Sequence, residues 1–137
     1  MTKTLYLMRH GETLFNVQHK IQGWCDSPLT ELGKQQAKKA GQWFQEHHIT
    51  FDHAYCSTSE RCSDTLELVT DMPYTRVKGL KEHCYGELEG ESERINKHLT
   101  PKDCETFYLQ YGGESSNTVR DRMLETLTNI MKKAAHT

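Results

Sequence analysis

Apolar positions follow two periods along this chain. Leu5 to Met8 is a short continuous apolar run, and with Thr4 it predicts a strand, Thr4 to Met8, that stops at Arg9, His10 and Gly11. A polar loop from Gly11 to Thr30 follows, punctuated by Gly23, Asp26 and Pro28. Thr30 can cap a helix over Glu31 to His47, where Gly33, Ala37, Ala40 and Phe44 share one face. Phe51 to Ser57 predicts a second strand. Ser57, Thr58 and Ser59 then offer cap oxygens to a helix from Glu60 to about Val69, with Cys62, Leu66 and Val69 as its buried stripe and Arg61 in its first turn.

Met72-Pro73 breaks the chain before a third strand, Tyr74 to Leu80, and a glycine- and glutamate-rich loop from Lys81 to Glu91. Ser92 to Tyr111 is polar, helical and weakly periodic. Gly112-Gly113 interrupts it, and Glu114 to Asn117 supply caps for a last helix whose apolar face is Val119, Met123, Leu127, Ile130 and Ala134. Strands alternating with helices predict an α/β fold with a mostly parallel sheet and right-handed crossovers. All strand ends then lie on one edge, where ligands of such folds bind, and a strand ending in Arg-His-Gly places two basic groups there for a small anion such as phosphate.

Composition narrows the partners. The 137 residues are one domain by length, long enough to bury a core. Lys and Arg number 17 against 19 Asp and Glu, without long runs of one sign, which argues against nucleic-acid binding and against a basic membrane surface. Nor is any apolar stretch near the ~20 residues needed to span a bilayer. Five cysteines, an odd number with no Cys-x-x-Cys pair, read as free thiols in a reducing compartment, and the expected location is the cytoplasm. His47 and His48 are adjacent and read as a solvated helix end. His19, His53, His83 and His98 show no ligand spacing, so no metal is expected.

The residues then carry a resemblance. Arg9-His10-Gly11-Glu12-Thr13 with Asn16, Gly23, Pro28 to Gly33, Ser57 with Arg61, Leu80 to Gly90, and Gly112 to Ser115 together resemble the histidine phosphatase superfamily, the phosphoglycerate mutase-like fold. The resemblance implies a three-layer α/β sandwich. It covers the N-terminal part of the family's domain over residues 1–137; the family's later strand, with a second histidine beside the first strand, has no counterpart after Gly113. The expectation is therefore a C-terminally incomplete domain with an uncovered first strand and weak turnover, either self-associating as a homo-oligomer or continued by further chain.

On that resemblance His10 is the nucleophile, since a neutral imidazole can attack phosphorus to give a phosphohistidine. Arg9 and Arg61 clamp the phosphoryl oxygens, Glu82 is the proton donor to the leaving alkoxide, and Asn16 and Gly23 belong to the substrate pocket, Gly23 through backbone approach. Thr13 reads as a turn or cap residue. No metal or organic cofactor is implied, and the partner is a small phosphorylated substrate. The family's mutases carry a longer insertion before the Gly-Glu-Ser segment, so the short link from Glu91 to Tyr111 favours a phosphatase. A mutase, and a phosphate-ester binder without catalysis, are the alternatives.

Overall fold

The computed structural model describes residues 2–134. After the apolar run the chain makes a short helix α1 (Leu14–Gln18), started by fully buried Thr13 through a capping box with Asn16. Thr13 is thus the cap residue the sequence suggests. The loop returns on itself: Leu14 N–H donates to the Pro28 carbonyl at 2.9 Å, and Thr30 N–H to that of Glu12 at 2.9 Å. Thr30 caps the long helix α2 (Glu31–Glu46) by accepting from the Gly33 amide at 3.1 Å.

The buried stripe of α2 is Gly33, Ala37 and Gly41, one every fourth residue, rather than one that includes Ala40 and Phe44. Small side chains let this row press against backbone. A β-carbon on Gly33 would lie 2.0 Å from the Glu12 carbonyl oxygen, and one on Gly41 2.6 Å from that of Val69. The second contact packs α2 onto helix α3 (Glu60–Val69), whose bounds match the expectation. Its buried face differs. Arg61, Ser63, Thr65 and Val69 point inward, whereas Cys62 and Leu66 are only partly buried. The polar side of this helix turns inward because partners wait for it there: Thr65 Oγ1 accepts from the Gly11 amide at 3.1 Å, and Arg61 meets the carbonyls of Gly23 and Cys25.

The sheet is smaller than the sequence predicts. Strand β1 (Tyr55–Cys56) pairs in parallel with β2 (Thr75–Arg76), in the register Tyr55 to Thr75 and Cys56 to Arg76. The expected strands from Phe51 to Ser57 and from Tyr74 to Leu80 shrink to these cores. Phe51 instead packs edge-on against Tyr6 and Phe44, and Lys78–Leu80 winds into a 3-10 turn. Thr4 to Met8 joins no ladder among the described residues. A strand exists through its hydrogen-bonded neighbour, and without one Leu5, Tyr6, Leu7 and Met8 stay exposed, Leu7 to 72%. The expected first strand is therefore an unpaired run, and the shared sheet edge is supplied by two strand ends.

Ser92 to Tyr111 is also broken up. It folds as a 3-10 turn (Glu93–Asn96), a short helix α4 (Pro101–Cys104) and a second 3-10 turn (Phe107–Tyr111). Pro101 is at home in a first turn but cannot continue a helix from Thr100, so the chain restarts there. Gly112 closes the segment in the left-handed conformation. These turns place Tyr108 in a core with Ile21 and Leu88, flanked by Tyr85, Leu99, Phe107 and Tyr111. The last helix, α5 (Ser116–Lys133), is capped by Ser115, whose side chain accepts from the Thr118 amide, and its partly buried face holds Val119, Met123, Leu127 and Ile130. Lys132 and Lys133 occupy its final turn, against the negative end of the helix dipole.

Candidate phosphate-ester site

Arg61 organises the site from beneath. It is only 2% exposed, yet most of its guanidinium is satisfied by one loop. Nη1 donates to the Cys25 carbonyl at 2.8 Å and to Asp26 Oδ1 at 3.0 Å, and Nη2 donates to the Gly23 carbonyl at 2.7 Å. Among the described residues Nε is buried without a partner. Asp26 also starts α3: its Oδ2 accepts from the Glu60 amide at 2.6 Å and the Arg61 amide at 3.4 Å. Ser59 stands at the N-cap but makes no side-chain cap bond, and Ser57 Oγ accepts from the Ser59 amide instead. The expected serine and threonine caps are thus replaced by an aspartate from a distant loop, which serves the helix and its arginine together.

The loop is braced in turn by Glu89. Its carboxylate accepts from the amides of Cys25 and Tyr85. Burial would push its carboxyl upward, but the hydrogen bonds from the Cys25, Trp24 and Tyr85 amides outweigh it and hold the group below the usual range. Gly23 lies within this braced loop, buried, and a β-carbon there would stand 2.2 Å from the His83 carbonyl oxygen.

His10 follows the apolar run and is half-buried. Its Nδ1 lies 2.7 Å from the Gly11 carbonyl oxygen. A carbonyl can only accept, so Nδ1 carries the proton, and in the neutral ring the Nε2 lone pair is left free. Burial lowers the pKa of the imidazole below the ordinary 6.5; the bond to Gly11 opposes this, the charges of Arg61 and Arg9 lower it further, and Glu82 raises it. The net direction keeps the ring neutral at neutral pH. Gly11 holds the turn in place by close approach, since a β-carbon on it would be 2.3 Å from the Gly33 carbonyl oxygen.

A cleft of about 400 Å³ opens in front of His10, lined by Arg9, Asn16, Gln22, Glu82, Tyr85 and, toward its rim, Lys20, Glu93, Asn96 and Lys97, with Ile21 at its wall. Of the residues singled out in the sequence, Arg9, His10, Asn16 and Glu82 therefore meet in one cavity. Arg61 and Gly23 do not line it. Arg61 acts on His10 through its charge, and Gly23 offers its carbonyl to Arg61. The Asn16 carboxamide oxygen accepts from the Thr13 amide at 2.9 Å and the Thr13 hydroxyl at 3.0 Å, so one end of this side chain is committed to α1. Glu82 is exposed, with Oε1 accepting from the His83 amide at 2.8 Å. Sequence reasoning missed Gln22, Tyr85 and the two lysines of the cleft, and it missed Asp26 and Glu89. Asp26 was visible only as turn punctuation before Ser27-Pro28.

The sequence model of the histidine phosphatase superfamily (branch 1) matches residues 5–137. The chain belongs to this superfamily. Among curated members of the superfamily, a 2,3-bisphosphoglycerate-dependent phosphoglycerate mutase of Bradyrhizobium sp. is 38% identical over 94 residues, which is 64% of this chain and 45% of that protein. Among solved structures, Bacillus stearothermophilus YhfR superposes with a TM-score of 0.77 at 33% identity, covering 91% of this chain and 65% of its own. A phosphoglycerate mutase from Bacillus anthracis superposes with a TM-score of 0.79 at 26% identity, covering 92% and 66% respectively. The fold is thus the superfamily's α/β fold. The chain spans about half the length of the curated members it matches and about two thirds of the solved ones.

Proposed function

We propose that the protein hydrolyses phosphomonoesters of small metabolites through a phosphohistidine formed on His10. The observation that carries this reading is the state of His10: neutral by burial and by nearby arginines, with Nδ1–H committed to Gly11, beside a cleft that also holds Arg9 and Glu82. In the first step Nε2 attacks phosphorus, the bond from phosphorus to the ester oxygen breaks, and Glu82 gives its proton to the departing oxygen. In the second, Glu82 takes a proton from water as the water oxygen displaces Nε2 from phosphorus, and His10 returns neutral.

Arg9 binds the phosphoryl oxygens from the cleft wall. Arg61 adds a fixed positive charge from behind the cleft, felt by His10 and favourable to the negative charge of the transferring group. Lys20 and Lys97 make the rim favourable to an anionic ester. We place the protein in the cytoplasm, a reading supported by five unpaired cysteines; among the described residues no helix is long and apolar enough to cross a membrane.

A second reading, transfer between hydroxyls of a sugar acid, has the name of the curated relatives in its favour. The short link from Glu91 to Tyr111 favours water as acceptor instead. The test is release of inorganic phosphate from an aryl and an alkyl phosphomonoester by the full-length protein. It should be abolished in His10→Ala; turnover unchanged in that variant would refute the reading, and recovery of a positional isomer of a phosphorylated sugar acid would favour transfer.

A further inference from the structure

Helix α5 contributes nothing to the cleft, yet its side chains take hold of the loop that carries Glu82. Arg122 Nη1 donates to the Gly79 carbonyl at 2.8 Å and the Lys81 carbonyl at 2.6 Å, and Nη2 donates to the Glu82 carbonyl at 3.2 Å. The same guanidinium pairs with Glu114, Nη2 to Oε1 at 2.9 Å and Nε to Oε2 at 3.3 Å. Glu114 then grips the loop on its other side. Its Oε1 accepts from the Cys84 amide at 2.9 Å, its own amide donates to the Cys84 carbonyl at 2.8 Å, and its carbonyl accepts from His83 Nε2 at 2.7 Å. Both members of the pair are mostly buried, with side chains 20% and 16% exposed.

A second anchor reaches the same carbonyl from the opposite part of the chain. Trp24 Nε1–H donates to the Glu82 carbonyl at 2.9 Å, and Lys81 Nζ sits 4.6 Å from the centre of the Trp24 ring. The backbone of one exposed glutamate is therefore fixed by two donors on two elements, while among the described residues its carboxyl makes a single bond, to the adjoining His83 amide. Part of this fixation seats buried His83 against Tyr85 and Tyr108, but the two donors on the Glu82 carbonyl act on the backbone of the exposed glutamate itself.

We propose that Arg122, with Glu114 and assisted by Trp24, positions Glu82 for proton transfer to the leaving oxygen. None of the three touches the reacting atoms; they act by holding the Glu82 backbone so that its carboxyl stays within reach of the ester oxygen above His10. The proposal rests on the phosphohistidine reading given above. Misplacement by about 1 Å can cost on the order of 10²-fold in rate. That loss should appear only where the proton matters. An alkyl phosphate, whose leaving group is a strong base, needs the proton; an activated aryl phosphate hardly does.

The experiment is single-turnover phosphorylation of His10 in the full-length protein by an alkyl and by a nitrophenyl phosphate, compared for the parent, E82Q, R122Q, W24F and the double variant R122Q/E82Q. The expected result is a loss of roughly 10²-fold for R122Q on the alkyl ester with less than about 3-fold on the aryl ester, a smaller loss of the same selectivity for W24F, and no further loss when R122Q is added to E82Q. Should R122Q lose its cooperative melt, W24F alone decides, because Trp24 is partly exposed and its replacement keeps an aromatic ring. Equal losses on both esters, or full additivity with E82Q, would overturn the positioning role while leaving the phosphohistidine in place. A parent protein in which neither ester labels His10 would overturn the functional reading, and this proposal with it.

Discussion

Replacing Asp26 with asparagine should destabilise the fold by about 2 kcal/mol, although the change is nearly isosteric. Both carboxylate oxygens of Asp26 face donors. Oδ2 takes the Glu60 and Arg61 amides, and Oδ1 takes Arg61 Nη1 and the Ser27 amide at 3.1 Å. A carboxamide has one acceptor oxygen, so whichever way the new side chain turned, an NH₂ would meet N–H groups. If the acceptor stays with α3, the bond to the guanidinium is lost, worth about 1.5–3 kcal/mol; if it stays with Arg61, the cap is lost, worth about 0.5–2 kcal/mol. The Asp26 side chain is 30% exposed, and solvent screening brings the larger of these two losses toward the lower end of its range, about 2 kcal/mol. For a two-state domain of this length the expected fall in melting temperature is about 6 °C.

Urea melts of Asp26→Asn, Arg61→Met and the double variant measure this directly. Arg61→Met should cost more, about 3–5 kcal/mol, because it strips a buried pair and leaves the Gly23 and Cys25 carbonyls unmatched. The cycle should return a coupling of about 1 kcal/mol or more. An Asp26→Asn melt within about 0.5 kcal/mol of the parent, or a coupling near zero, would refute the claim that one aspartate serves helix and arginine together.

Further outcomes follow from the site and from the bare run before it. Arg9→Met removes a charge that helps to lower the His10 pKa, so the imidazole should protonate at higher pH and the acid limb of the pH-rate profile should move upward; a limb that stays in place contradicts the assignment. The same lowered value makes the unfolded chain bind the proton first, so His10 should add nothing to the pH dependence of stability above 6.5 and destabilise progressively as pH falls from there to its lowered value, a slope that His10→Ala should remove from urea melts run at a series of pH values. Lys97→Glu should raise KM severalfold for an anionic ester at low salt and leave kcat unchanged, with the difference fading at high salt. A preparation ending at Thr137 should self-associate through the bare run from Leu5 to Met8, and light scattering that shows a monodisperse monomer with enzyme-like turnover would contradict this.

What could be read from the sequence was what local chemistry determines. Thr30 and the spacing of Gly33 and Ala37 located α2, and α3 starts at Glu60 and ends about Val69 as its caps and period predict, because caps and helical periods are written in neighbouring positions. Leu5 to Met8 has strand composition, but pairing depends on a neighbour that composition does not reveal, and the described residues supply none. The inward face of α3 was misjudged for a related reason: Cys62 and Leu66 are apolar, but the partners that draw Arg61 and Thr65 inward lie at Gly23 to Asp26 and at Gly11. His10, Arg9, Asn16 and Glu82 were legible as a set through the superfamily's motif, and they line one cleft. The supports around them were not. Asp26, Glu89, Glu114 and Arg122 act through amides and carbonyls far away in sequence, and such bonds leave no local pattern.

Everything proposed for the cleft depends on His10 Nε2 taking the phosphoryl group. Brief exposure of the full-length protein to a ³²P-labelled phosphomonoester, quenching in alkali and peptide mapping should recover an acid-labile label on the peptide that contains His10, absent in His10→Ala. Turnover of the ester with no label at His10, or with the label on another residue, would contradict the account.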